Sequence, residues 1–493
     1  MARIPETDIA LAPAGPGPRN LQMRLREAIS AAIWEGRFAP GDRLPATRAL
    51  AAHLGLARIT VALAYDDLAT DGWLRAAPRS GHFVAEDAPR RLPAPPPPGA
   101  GARALDWAAR LGPPPPALGG QAKPADWRGF PYPFVFGQAD LDGFPMDEWR
   151  ACARAALGRA AFDVVAGDFG DRDDPMLTAQ IAARVLPARG LRAGPDEVLV
   201  CYGAQNALWV AAELLVSGRP GALAAVEDPG WPETRHMLAR LGARVVPVPV
   251  DADGIDPEAI PAETAVVFVT PGHHAPTGAA LSEPRRARLL ERAVAHDWII
   301  VEDDYDFETS YLRPAAPALK ARDRTGRVIL VGSFSKTLFP GLRLGYLHAP
   351  AAFLRHARAV RTLAARHPPG LTQRAAAHFL ALGHYNAHAA AIRRRLARRR
   401  AALTAALADH GLPAPSDAGF GGAAIWLEGP PDLDADRLAA ALRPRGVLIE
   451  PGRPFFAAAD PPRNFLRLGF SVMPEPRIAP GVALIAEEWR RLR

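Results

Sequence analysis

Lys336 lies in the run GSFSKTLFPGLRLGY, residues 332–346, and is one of only three lysines among the 59 basic Lys and Arg residues of the chain. The other two are Lys123 and Lys320. Where a plain positive charge suffices, this sequence uses arginine, so a lysine at 336 points to a need for an amine. A guanidinium stays protonated in a protein, whereas a desolvated ammonium can lose its proton and attack a carbonyl. Other short runs carry groups that could work beside it. VEDDYD (301–306) offers Asp303 and Tyr305, and CYGAQNAL (201–208) turns through Gly203 into Ala204 and Gln205. EDPGWP (227–232) offers Trp231, the lysine run itself supplies Ser333 and Arg343, and FLRLGF (465–470) holds Arg467. Taken singly, each has an ordinary structural explanation: a cap, a surface charge, a core aromatic. Together they supply an amine, a fixed carboxylate, a phosphate cradle at a helix start, a flat aromatic and an arginine that can clamp a carboxylate.

The elements that must position these groups are legible from residue 134 onward. EVLVC, ALAAVED, RVVPVPV, AVVFVT, WIIVEDD and VILVGSF are buried-strand candidates, mostly separated by stretches of helical length. That alternation predicts an α/β fold, a mostly parallel sheet with helices on both faces, whose ligands bind at the carboxyl ends of the strands. The reactive-looking residues stand at those ends. After Pro368 the chain turns helical and arginine-rich and closes with a small α+β segment. The expected division is a larger part over residues 160–370 and a smaller part over 371–493.

Residues 19–86 read as a separate helical unit ending in a hairpin. Leu21, Leu25, Ile29 and Ile33 recur at steps of four and predict one amphipathic helix; LPATRALAAHLG predicts a second. LARITVALAYDDLATDG predicts a third, with Val61, Tyr65 and Leu68 facing inward. Two short strands around Pro-Arg-Ser-Gly follow. Residues 87–133, with two tetraproline runs, cannot bury a core and read as a semi-rigid linker. Within it, Trp107 and the aromatics Phe130 and Tyr132, continuing into Phe134 and Phe136, suggest that parts dock on the next domain.

The bulk numbers bound the rest. At 493 residues the chain needs more than one core. There is no apolar run of membrane-spanning length, and the N-terminus lacks a signal-peptide pattern. Cys152 and Cys201 form no metal or redox spacing, so no metal is expected and a cytoplasmic location is. A net charge of +7 permits a polyanionic partner without requiring one.

On these motifs, residues 134–493 resemble the fold-type I, aspartate-aminotransferase-like enzymes that use pyridoxal 5'-phosphate. SFSKTLFPGLRLG matches their Schiff-base lysine motif, EDDYD their Asp-x-Tyr strand end, and TPGHHAPTG (270–278) their Pro-Thr-Gly turn. GDRLPATRALAAHLGLARITVALAYDDLATDGWL resembles the winged helix-turn-helix of GntR-type repressors. Joined by a long linker, the two resemble the MocR subfamily of bacterial transcription regulators over nearly the whole chain. The resemblance implies that Lys336 bonds the cofactor aldehyde, Asp303 pairs with the pyridine nitrogen, Tyr305 hydrogen-bonds the ring oxygen and Trp231 stacks on the ring. It assigns phosphate binding to Ser333, Arg343 and the N–H groups of Gly203, Ala204 and Gln205, and a carboxylate clamp to Arg467. Two departures stand out: Ala275 replaces the asparagine common before Pro-Thr-Gly, and Ala204 replaces a hydroxyl residue. In the winged unit, Arg58 and Thr60 are expected to read bases, Arg43 and Arg48 to touch phosphates, and the wing around Arg79 to approach the backbone or minor groove. Ala57 stands where a capping serine is common.

The resulting expectation is a homodimeric regulator of promoter DNA, with swapped DNA-binding domains, that senses a small amino compound or the cofactor itself. The alternative is a catalytically active aminotransferase carrying a winged helix.

Overall fold

The computed structural model describes residues 2–11, 21–90, 105–111, 123–168, 170–413 and 419–492. The two tetraproline runs lie outside the described residues. The chain forms two compact units, Met1–Arg110 and Leu111–Arg493.

In the first unit, α1 (Leu21–Trp34), α2 (Thr47–Leu54) and α3 (Arg58–Thr70) precede a hairpin of β1 (Leu74–Ala77) and β2 (Gly81–Val84). Leu25, Ile29 and Ile33 of α1 pack with Leu50 of α2 and with Val61, Tyr65 and Leu68 of α3. Leu21 departs from the expected apolar face: it is 45% exposed, because the core ends one turn below it. Residues 3–9 add to this core through Ile4 and Ile9, and Ile4 N–H donates to Arg43 O. The Tyr65 hydroxyl donates to Pro45 O at 3.1 Å, tying α3 to the loop before α2. Ala57 caps α3 with extended backbone and no side-chain bond, as its missing hydroxyl dictates. Trp107 begins a five-residue helix (Trp107–Leu111) and is 63% exposed.

The second unit begins with β3 (Tyr132–Pro133) and is built on an eight-stranded sheet. Its strands are β4 (Val198–Cys201), β5 (Leu223–Asp228), β6 (Arg244–Asp251), β7 (Gly254–Ile255), β8 (Val266–Val269), β9 (Ile299–Asp304), β10 (Val328–Ser333) and β11 (Gly345–His348). They lie in the order β4-β11-β10-β9-β8-β5-β6-β7. β5, β6, β8, β9 and β10 pair in parallel; β11 runs against β10 and β4, and β7 against β6. β4, β8 and β10 are buried along their whole length, which explains their unbroken apolar runs. β6 is the exception to the expected burial. It lies next to the sheet edge, half of it meets solvent, and its two prolines suit that place.

Helices Gly370–Ala381 and His384–Asp409 lead into a smaller layer of β12 (Ala424–Glu428), β13 (Val447–Leu448), β14 (Glu450–Pro451) and β15 (Phe465–Gly469). β12, β15 and β14 form one sheet, and β13 pairs in parallel with β3. This last pairing anchors the segment that carries Phe134, buried in the small-layer core, and Phe136 beyond it. Cys152 and Cys201 are buried and unbridged. Among the described residues no helix is long and apolar enough to cross a membrane, and no cluster of His, Cys, Asp and Glu could hold a metal ion.

Candidate functional site

Parallel registry brings the reactive groups together. Asp303, near the end of β9, is paired with Val331 of β10, and the chain leaves β10 at Ser333 to reach Lys336. Between β4 and the helix Ala204–Val216, Gly203 makes the turn with φ 85°. A Cβ at Gly203 would stand 3.1 Å from Arg343 Nη2, so this position needs glycine both for its backbone and for the approach of the guanidinium. Arg343 Nη2 donates to Tyr202 O at 3.0 Å.

One cleft of about 200 Å³ is lined by Ala204, Gln205, Trp231, Asp303, Tyr305, Ser333, Lys336 and Arg343. Eight expected site residues, drawn from 140 positions of sequence, thus meet on one surface. Gly203 contributes space, and its N–H already donates to Cys201 O at 2.8 Å. The donors left for an anion are therefore the first-turn N–H groups of Ala204 and Gln205, which have no acceptor within the helix. Ser333 Oγ accepts the Ser335 N–H at 3.1 Å and keeps its own proton to donate.

Electrostatics follow from burial. Lys336 Nζ lies 4.3 Å from the centroid of the Phe136 ring. Desolvation pushes its ammonium down to about 8, helped by Lys123 and Arg467 and opposed by Asp306 and Glu450. Desolvation, with Asp304, Asp306 and Glu227 nearby, pushes the Asp303 carboxyl up to about 8. Asp303 Oδ1 is buried and, among the described residues, without a hydrogen-bond partner. A buried carboxylate oxygen left bare costs free energy until a donor reaches it. The phenol of Tyr305 is held well above its usual range, chiefly by burial, and so remains a donor.

That unpartnered oxygen is the test of fit for a pyridine ring, and it is passed. A protonated ring nitrogen would satisfy it, and the helix start with Arg343 and Ser333 suits a phosphate. Trp231 supplies an aromatic wall, its Nε1–H donating to Glu233 Oε2 at 3.3 Å. Ala275 also lines the cleft, so the amide expected there in many aminotransferases is replaced by a methyl group.

Arg467 is the expected residue that the cleft does not expose. It is 2% exposed on β15, with Nε donating to Glu450 Oε2 at 2.9 Å across the β14–β15 pair. Sequence reasoning missed Glu450 and Glu233; Phe136, expected only as a docking aromatic, and Thr270, which opens the TPGHHAPTG run, also line the cleft with Glu233. Behind the cleft, Glu227 accepts the Thr270 N–H and hydroxyl, and burial pushes its carboxyl up to about 7.

In the winged unit, Arg43, Arg48, Arg58 and Arg79 are exposed and Thr60 is half-buried. Arg43 lies beside the wing, 3.6 Å from where a Cβ of Gly81 would stand. Asp67 and Asp71, at the far end of α3, face Arg26 of α1 at 3.9 and 3.7 Å, and the first turn of α3 carries no acid. Ile59 is 64% exposed on that turn, and Leu63 is 44% exposed one turn on.

A winged helix-turn-helix joined to a fold-type I aminotransferase-like domain defines the class of protein. Residues 21–84 match the bacterial regulatory proteins of the gntR family, and residues 135–485 match aminotransferase class I and II. The chain is 50% identical to the HTH-type transcriptional regulator TauR of Rhodobacter capsulatus, over 99% of this chain and the whole of TauR. It is 32% identical to the probable rhizopine catabolism regulatory protein MocR of Rhizobium meliloti, over 92% of this chain and 90% of MocR. Its fold resembles LysN, the α-aminoadipate aminotransferase of Thermus thermophilus, solved with N-(5'-phosphopyridoxyl)-L-leucine. The TM-score is 0.68 and the identity 26%, covering 79% of this chain and 99% of LysN. The chain belongs to the MocR subfamily of GntR-type transcription regulators.

Proposed function

We propose that this protein is a cytoplasmic, pyridoxal phosphate-dependent regulator whose second unit senses a small amino compound and whose first unit binds promoter DNA. The observation that carries the reading is Asp303 Oδ1, buried without a partner in the same cleft as Lys336 and Arg343. Pyridoxal phosphate, when bound, supplies an aldehyde that condenses with amines and a ring that withdraws electrons. Lys336 would hold the aldehyde carbon, and the depressed pKa of its free amine leaves part of it neutral and able to attack that carbonyl. Asp303 keeps the proton on the ring nitrogen. Tyr305, whose phenol burial keeps protonated, would donate to the ring oxygen, and Ala275 adds no donor there. Arg343, Ser333 and the N–H groups of Ala204 and Gln205 anchor the phosphate, while Trp231 and Phe136 exclude water from the ring.

At the DNA end, Arg58 and Thr60 on the first turn of α3 reach base edges, Arg43 and Arg48 neutralise phosphates, and Arg79 carries the wing. Arg467 provides the charge for a carboxylate on the amino compound. Two copies, with the DNA-binding units swapped between them, would present two recognition helices to repeated half-sites. The test is a promoter-shift assay on the protein's own upstream region, with and without a panel of amino acids, beside borohydride trapping of the cofactor. Adduct on Lys336 and an amine-dependent shift support the reading. Adduct on Lys123 or Lys320, or DNA binding indifferent to every amine, overturns it. Sustained turnover of an amino donor with a keto acid, without promoter binding, would instead make the chain an aminotransferase with a fused winged helix.

A further inference from the structure

Helix α3 buries one face and leaves two large apolar side chains on the other. Val61, Ala64, Tyr65 and Leu68 belong to the core of the winged unit. Successive residues of a helix turn by about 100°, so Ile59 and Leu63, one turn apart, stand on the side opposite that core. Ile59 is 64% exposed and Leu63 is 44% exposed. A single apolar side chain at a surface is ordinary. A pair on one outward face is not explained by the core, and Ile59 is the most exposed large apolar side chain of residues 21–84.

Its neighbours say what that face meets. Arg58 is exposed just before Ile59, and Arg43, Arg48 and Arg79 are exposed before α2, on α2 and at the wing. The first turn of α3 holds no acid, and Asp66, the next acid along the outward face, comes only in the third turn. An apolar spot among exposed guanidinium groups suits a polyanion that carries an apolar feature. Duplex DNA has one in its major groove, the 5-methyl group of thymine. Branching at Cβ fixes the first side-chain torsion of a helical isoleucine, so Ile59 presents its methyl groups with little rotamer freedom left to lose. Its side chain has no donor or acceptor, and it can therefore distinguish bases only by shape and apolar contact.

We propose that Ile59 reads the 5-methyl group of a thymine in the major groove, with Leu63 extending the same apolar face. This role rests on the reading of the winged unit as the promoter-binding part, and it sharpens that reading to a class of site: one in which the methyl group of at least one thymine is required. Arg58 and Thr60 can read hydrogen-bonding edges on either side of Ile59, whereas Ile59 supplies the discrimination that no hydrogen bond gives.

Uracil pairs with adenine as thymine does and lacks only the methyl group, which makes it the probe. The full-length protein would be footprinted on its own upstream region, and each thymine in the protected stretch replaced singly by deoxyuridine for promoter-shift titrations at fixed salt. At one thymine or more, binding should weaken about three- to tenfold. Ile59→Ala should bind the thymine and deoxyuridine forms of that position alike, while Ile59→Val, which keeps the branched methyl pair, should retain most of the difference. Indifference of the unmodified protein to every deoxyuridine refutes the proposal with promoter binding intact. An Ile59→Ala variant that keeps the full thymine preference refutes it too, since another residue then reads the methyl group. If that variant also has a lower molecular mass in solution, the apolar face belongs to a contact between two copies of the chain. Absence of any protected stretch would refute the promoter-binding reading itself.

Discussion

Capture of pyridoxal phosphate by Lys336 should be governed by an amine that titrates near 8. Burial strips water from the ammonium and brings it there from the ordinary range near 10.5. At pH 8 half of the Lys336 amine is then neutral, against about 0.3% for an unperturbed lysine, an advantage of roughly 150-fold in reactive species. The ligand-free protein would be mixed with pyridoxal phosphate between pH 6 and 10, and the capture rate read from the absorbance of the covalent adduct. The adduct would be fixed with borohydride and located by mass mapping. The rate should rise about tenfold per pH unit at the acid end and level off above pH 8. Asp306→Asn removes the carboxyl that most favours the ammonium form and should move the midpoint to lower pH. Lys336→Arg should abolish capture, since a guanidinium stays protonated. A midpoint at or above pH 10, or equal capture by the Lys336→Arg variant, would refute the argument that the cleft desolvates this amine.

Asp303→Asn should weaken pyridoxal phosphate binding by roughly 10- to 100-fold, the cost of a charge-assisted hydrogen bond, while still allowing capture on Lys336; equilibrium dialysis measures it. Arg58→Ala should cost promoter affinity roughly 1–3 kcal/mol if the side chain reads a base, or flatten the salt dependence if it touches phosphate, with no change in the cofactor spectrum. Arg467→Ala should do the reverse in the same shift assay, keeping promoter binding and losing the response to acid-bearing amines, because the ligand's acid group is left without its paired donors. Tyr65→Phe removes a buried donor from Pro45 O and should destabilise the winged unit by about 1 kcal/mol, seen as a lower midpoint in urea.

The strands were legible because each is a short apolar run bounded by turn residues, and the ends of β9 and β10 could be placed because parallel sheets present their ligands' groups there. Lys336, Asp303, Tyr305 and Arg343 stood out by residue type and spacing, which are local properties. The three helices of the winged unit were legible for the same reason, as their buried positions recur with the helical period. Burial at the margins was not. Leu21 continues the period of α1 yet is exposed. β6 looks like a core strand but lies beside the sheet edge, because strand order is set by crossovers that no local pattern encodes.

The sequence by itself therefore determined which groups exist and on which strand ends they stand. The tertiary structure decided what each of them meets. Gly203 N–H belongs to Cys201 O, so two backbone donors rather than three face the cleft. Arg467 is held by Glu450 because β14 and β15 pair in antiparallel register, a contact fixed by sheet geometry and not by the 17 residues between them. Lys123 reaches Glu450, more than 300 positions away, and its rarity in an arginine-rich chain was the one sequence signal that could have found it. Charge interactions decide the protonation of Lys336, and they depend on distance and desolvation, which arise only once strands and loops from opposite ends of the chain have packed together.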